Sequence, residues 1–164
     1  MQIYTESTGL KFCKVGVLQE LHDSISSLDW ELQNKESINT ESPRGLIMAP
    51  TRELCMQIEK QAKELMKGLP HMKTALLVGG LPLPPQLHRL RSGVQIVVAT
   101  PGRLQEIVAQ SGVDLSFIKC FVLDEVDVML QMGFDCQVTT CFFWTLVFAF
   151  FVLCLVHHLK KSPN

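Results

Sequence analysis

Four short apolar runs, each ending in turn or helix-start residues, alternate with stretches of helical periodicity, and together they predict an α/β domain built on a parallel sheet. The runs are Leu46 to Ala49, Ala75 to Val78, Val94 to Ala99 and Cys120 to Leu123. They are apolar almost throughout rather than alternating, which suits strands buried on both faces. Between them, Arg52 to Lys67 carries Leu54, Ile58, Ala62, Leu65 and Met66 at helical spacing, with Thr51 placed to cap it. Pro101 to Gln110 starts a second helix, with Thr100 as cap and Pro101 at the first helical position, where its missing N–H is harmless.

The remaining elements are less patterned. In residues 1–44, Val15 to Leu28 fits an amphipathic helix, with Val17, Leu18, Leu21, Ile25 and Leu28 on one side. Asn34 to Arg44 is polar, contains Pro43 and reads as a loop. Gly79-Gly80 and the proline-rich Leu81 to Pro85 read as an ordinary turn. Composition changes sharply after Phe134, and Cys141 to Val156 contains 15 apolar residues out of 16. The chain of 164 residues accordingly divides into residues 1–44, residues 45–134, which carry the strand pattern, and a hydrophobic tail, residues 135–164.

Lys and Arg number 15 against 16 Asp and Glu, so no global positive field draws the chain onto nucleic acid, and any such contact must be local. Six cysteines occur with no C-x-x-C pair, which fits neither a zinc site nor a secreted disulfide scaffold; reduced intracellular thiols are the expectation. The first residues, MQIYTESTGLKF, lack the basic start and apolar stretch of a secretory signal.

In a parallel sheet, chemistry gathers beyond the carboxyl ends of the strands. Pro50-Thr51-Arg52-Glu53 follows the first run, Gly79-Gly80 the second, Thr100-Pro101-Gly102-Arg103 the third and Asp124-Glu125-Val126-Asp127 the fourth. Adjacent carboxylates after a strand suit a Walker B role, with Asp124 on Mg²⁺ and Glu125 orienting water towards a γ-phosphate. Hydroxyls, exposed backbone N–H groups and guanidinium groups suit a grip on a nucleic-acid backbone without reading bases. Each motif also has a plainer reading. The acidic cluster could be a simple helix start, and Arg52 with Glu53 a surface ion pair.

PTREL, GG, ATPGR and DEVD, followed by Met129-Leu130-x-Met132-Gly133-Phe134, resemble in order and spacing the motifs of DEAD-box RNA helicases. The stretch LVGGLPLPPQ is similar to the branch of the family that carries an N-terminal zinc-finger HIT module. The resemblance covers about Gly45 to Phe134 and implies a partial RecA-like parallel sheet flanked by helices, with a non-family hydrophobic C-terminal segment. It implies that Pro50, Thr51, Arg52, Glu53, Gly79, Gly80, Thr100, Pro101, Gly102 and Arg103 contact RNA. Asp124, Glu125 and Asp127 would serve Mg-ATP hydrolysis, Asp127 coupling nucleotide state to the RNA site. ATP, Mg²⁺, RNA and the protein partners of a full-length helicase are the implied ligands, and nucleus or cytoplasm the implied location. Val126 stands where the family usually has alanine.

Several family parts are not found. No glycine-rich loop ends in Gly-Lys-Thr; the nearest string, Ser7-Thr8-Gly9-Leu10-Lys11-Phe12, has one glycine and no hydroxyl residue after its lysine. The adenine-reading Q motif, the Ser-Ala-Thr motif and the second RecA-like domain are absent too. The expectation is therefore a truncated or alternatively spliced chain that does not unwind RNA by itself and has an open apolar sheet edge. A non-enzymatic RNA- or partner-binding module is the alternative. The tail has three readings: a membrane segment over residues 138–156, a strand or helix covering the sheet, or an unshaped, aggregation-prone segment, which its composition favours. His157-His158 reads as polar flanking residues rather than a metal site.

Overall fold

The structure, a computed structural model, describes residues 10–12, 42–67, 69, 72–111, 113–146 and 151–155. The helix predicted at Val15 to Leu28, most of the Asn34 to Arg44 loop and His157-His158 lie outside these residues. In chain order the elements are β1 (Leu10–Phe12), β2 (Gly45–Met48), α1 (Arg52–Leu65), β3 (Thr74–Leu77), α2 (Leu83–Arg91), β4 (Ile96–Ala99), α3 (Pro101–Ser111), β5 (Cys120–Asp124), α4 (Val126–Gln131), α5 (Asp135–Leu146) and β6 (Phe151–Leu155).

The strands form one six-stranded sheet in the order β1-β6-β5-β2-β4-β3, and every pairing is parallel. Strand residues alternate between two cores, as the two-residue period of a strand requires. Leu46, Met48, Ala75, Leu77, Val97, Ala99, Phe121 and Leu123 face one core, which α2, α3, α4 and α5 cover with Leu90, Leu104, Ile107, Met129, Val138 and Cys141. Ile47, Ala49, Val78, Ile96, Val98 and Val122 face the other, covered by Cys55, Ile58 and Ala62 of α1. Burial on both faces is the reason the strand sequences are continuous apolar runs.

Local chemistry sets the helix starts. The Thr51 hydroxyl accepts a hydrogen bond from the Leu54 N–H at 3.3 Å and caps α1. In α3 the first residue is Pro101, and the Thr100 carbonyl accepts from the Leu104 N–H. Leu81 to Pro85 is not wholly a turn, because α2 begins at Leu83 and takes Pro84 and Pro85 into its first turn. The N–H groups of a first turn have no intrahelical partner, so two prolines remove nothing there.

The tail departs most from expectation. Its residues 135–146 and 151–155 are neither shapeless nor an uncovered edge: α5 buries Val138 and Cys141 in the first core, and β6 lies parallel beside β5, with β1 on its far side. A charge-free run rich in β-branched and aromatic residues satisfies the demands of a buried parallel strand as well as it does those of an aggregating one. Among the described residues no helix is long and apolar enough to cross a membrane. The outer edge at β3 is partly occupied, since Arg89 Nε donates to the Thr74 carbonyl at 2.9 Å.

Candidate nucleic-acid interface

Because every pairing is parallel, the carboxyl ends of all strands lie along one edge of the sheet. The sheet order then rearranges the motifs, which run PTRE, GG, TPGR, DEVD in the chain but DEVD, PTRE, TPGR, GG across strands β5, β2, β4 and β3. Three of them meet in a groove of about 360 Å³ lined by Pro50, Arg52, Gly79, Thr100, Gly102, Arg103, Glu106 and Phe134.

The two arginines are placed differently. Arg52, whose side chain is half exposed, makes a long 3.6 Å ion pair with Glu53, an exposed contact of little energetic weight. Its guanidinium also lies over Gly80, close enough that a Cβ there would collide with it. Gly80 has φ +76°, a conformation that favours glycine. Arg103 is largely buried; its Nε pairs with Glu106 Oε2 at 2.9 Å and its Nη1 donates to the Leu81 carbonyl at 3.2 Å. Gly102, exposed at the start of α3, has open space around it, so the backbone at that helix N-terminus is accessible.

Not every predicted RNA-contact residue lines the groove. Thr51 caps α1, Pro101 is buried as the first residue of α3, Gly80 sits beneath Arg52, and Glu53 is exposed beside it. Two lining residues were not among the predicted RNA contacts. Glu106 stands three residues after Arg103, a spacing that brings helical side chains together, and Phe134 follows Gly133 at the end of the α4 turn.

The acidic motif sits at the end of β5, outside the groove lining. Asp124 is 1% exposed. Asp127 Oδ1 is buried with no hydrogen-bond partner among the described residues. Glu125 has φ 52° and ψ 48°, the left-handed region, and is the one non-glycine residue with positive φ among those described. Such a conformation costs about 1–2 kcal/mol and is concentrated at functional sites. Val126 is accommodated, packing against the first core as a partly buried side chain. Among the described residues no three His, Cys, Asp or Glu side chains cluster closely enough to hold a metal unaided. Nearby, the Cys55 thiol donates to the Ala49 carbonyl, and burial pushes its pKa up to about 12.

This fold and edge define a RecA-like α/β domain with a groove beside an acidic strand end. The chain belongs to the DEAD/DEAH box helicase family, whose model matches residues 7–146. Among curated relatives, it is 66% identical over 97 residues to the probable ATP-dependent RNA helicase DDX59 of Mus musculus, covering 59% of this chain and 16% of that protein. It is 47% identical over 111 residues to DEAD-box ATP-dependent RNA helicase 41 of Oryza sativa subsp. japonica, covering 68% of this chain and 20% of that protein. The chain thus spans about a fifth or less of these relatives' length. Its fold matches the yeast DEAD-box splicing factor Prp28 with a TM-score of 0.76 at 24% identity, over 91% of this chain and 36% of that one. It also matches the DEAD-box helicase Mss116 bound to ssRNA and UDP-BeF, with a TM-score of 0.73 at 25% identity, over 87% of this chain and 31% of that one.

Proposed function

We infer that this chain supplies the RNA-backbone grip of an RNA helicase and does not by itself hydrolyse ATP. The groove carries this reading: Arg52, Arg103, Thr100 and the N-terminus of α3 converge on one concave surface. These are donors for phosphate and ribose oxygens. The related helicase solved with ssRNA supports RNA as the ligand. Phe134 adds an apolar wall against which a sugar or base can rest.

The acidic motif fits half of a nucleotide site. Mg²⁺ is commonly held by one or two carboxylates together with substrate phosphates, and buried Asp124 and partly buried Asp127, whose Oδ1 has no hydrogen-bond partner among the described residues, suit that task. Among the described residues the triphosphate has no comparable cradle. Lys11, the lysine of the string nearest to a phosphate loop, lies inside β1 and pairs with Leu153, whereas a phosphate-loop lysine belongs in the loop beyond its strand. No hydrolytic step is therefore assigned to this chain.

The test is a pair of measurements on the full chain. A fluorescent oligouridylate should bind with a steep salt dependence, and Arg103→Ala should weaken binding about tenfold, the range for losing charge-assisted contacts. RNA-stimulated ATP hydrolysis should be absent, alike in the unsubstituted chain and in Glu125→Gln. Hydrolysis abolished by Glu125→Gln would mean that a phosphate site exists and would overturn the second half of the reading. Absence of RNA binding would overturn the first.

A further inference from the structure

The Gly79-Gly80 turn is held from behind by one side chain. Gln86, in the first half of α2, is 7% exposed, and its amide faces the backbone where β3 ends. Its Oε1 accepts from the Val78 N–H at 3.0 Å and its Nε2 donates to the Val78 carbonyl at 3.0 Å. That reciprocal pair is what a neighbouring strand's peptide would offer, so the side chain continues the ladder past Leu77. Nε2 also lies 3.3 Å from the Leu81 carbonyl and 3.3 Å from the Pro82 carbonyl. The Leu81 carbonyl in turn receives Arg103 Nη1. One oxygen of the turn is therefore shared between Gln86 and a groove arginine, while Gly80 of the same turn lies under the other arginine, Arg52.

We propose that Gln86 is a positioning residue for the groove: its amide holds the turn from Val78 to Pro82 where Arg103 and Arg52 close upon it. The role rests on the RNA-backbone reading of that groove. Few other side chains can serve. A carboxylate accepts from Val78 but cannot donate to three carbonyls, asparagine is one methylene too short, and an apolar side chain of equal length makes none of the bonds.

The experiment compares the full chain with Gln86→Met, which keeps length and apolar packing, and Leu90→Ala, which loosens α2 in the core without touching the turn. Amide hydrogen exchange at Val78, whose N–H donates to Gln86 Oε1, should quicken about tenfold in Gln86→Met while the amides of β4 are unchanged. Affinity for a fluorescent oligouridylate should fall about tenfold, the equivalent of one or two hydrogen bonds. Unchanged exchange at the turn would overturn the proposal. So would quickened exchange with unchanged affinity, or an equal loss of affinity in Leu90→Ala at matched stability, which would reduce Gln86 to a contributor to general stability. Failure of the unsubstituted chain to bind the oligouridylate would overturn the RNA reading, and with it the positioning role, before any variant is compared.

Discussion

Glu125 concentrates the conflict between stability and chemistry in one residue. A glutamate in the left-handed region is strained, and glycine would adopt the same φ of 52° without a Cβ clash. Glu125→Gly is therefore expected to stabilise the chain by about 1 kcal/mol, raising Tm by roughly 2–4 °C in a thermal melt. A lowered Tm would mean that the carboxylate itself holds the turn. The place of Glu125 after an apolar strand marked it in the sequence as a candidate site residue. The strain was not legible there, because a dihedral angle follows from how β5 hands over to α4. Gln86 shows the same limit: the proline-rich stretch before it pointed to a turn, and nothing local revealed that a side chain from the next helix would bind that turn.

At the scale of elements, strands β2 to β5 and helices α1 and α3 follow from composition and period. β2 to β5 lie within a residue or two of the apolar runs, since a strand buried on both faces must be apolar throughout. The tail was ambiguous for a physical reason. A short apolar run meets the requirements of a strand, a membrane segment and an aggregating segment equally, and only available partners decide among them. In this structure the partners are β5 and β1, and β6 lies between them. Proline in such a position removes a ladder donor, so Leu153→Pro is expected to lower Tm by about 5–10 °C or more and to increase aggregation. An unaltered melt would show that β6 does not contribute to the sheet in solution.

For the whole molecule, the buried thiols set a prediction about pH. Burial pushes Cys55 and Cys141 each from about 9.0 to about 12. A raised thiol pKa means that the folded chain keeps a proton that the unfolded chain releases. Stability is therefore fully present below about pH 9 and declines as pH rises towards 12, by about 1.4 kcal/mol per pH unit for each thiol. Urea melts at about pH 8 and about pH 10 should show this decline, and Cys141→Ala should make it shallower. An equal decline in that variant would assign the effect to other groups. From the sequence alone came the α/β class, strands β2 to β5, the four motifs and the lack of a Gly-Lys-Thr string, because periodicity, turn residues and motif spacing are local properties. The order of the motifs along the sheet edge, the place of Phe134 in the groove and the lodging of the tail beside β5 were decided by tertiary structure. Each depends on which strands become neighbours, and in a parallel sheet neighbouring strands are joined by long crossovers that local pattern does not specify.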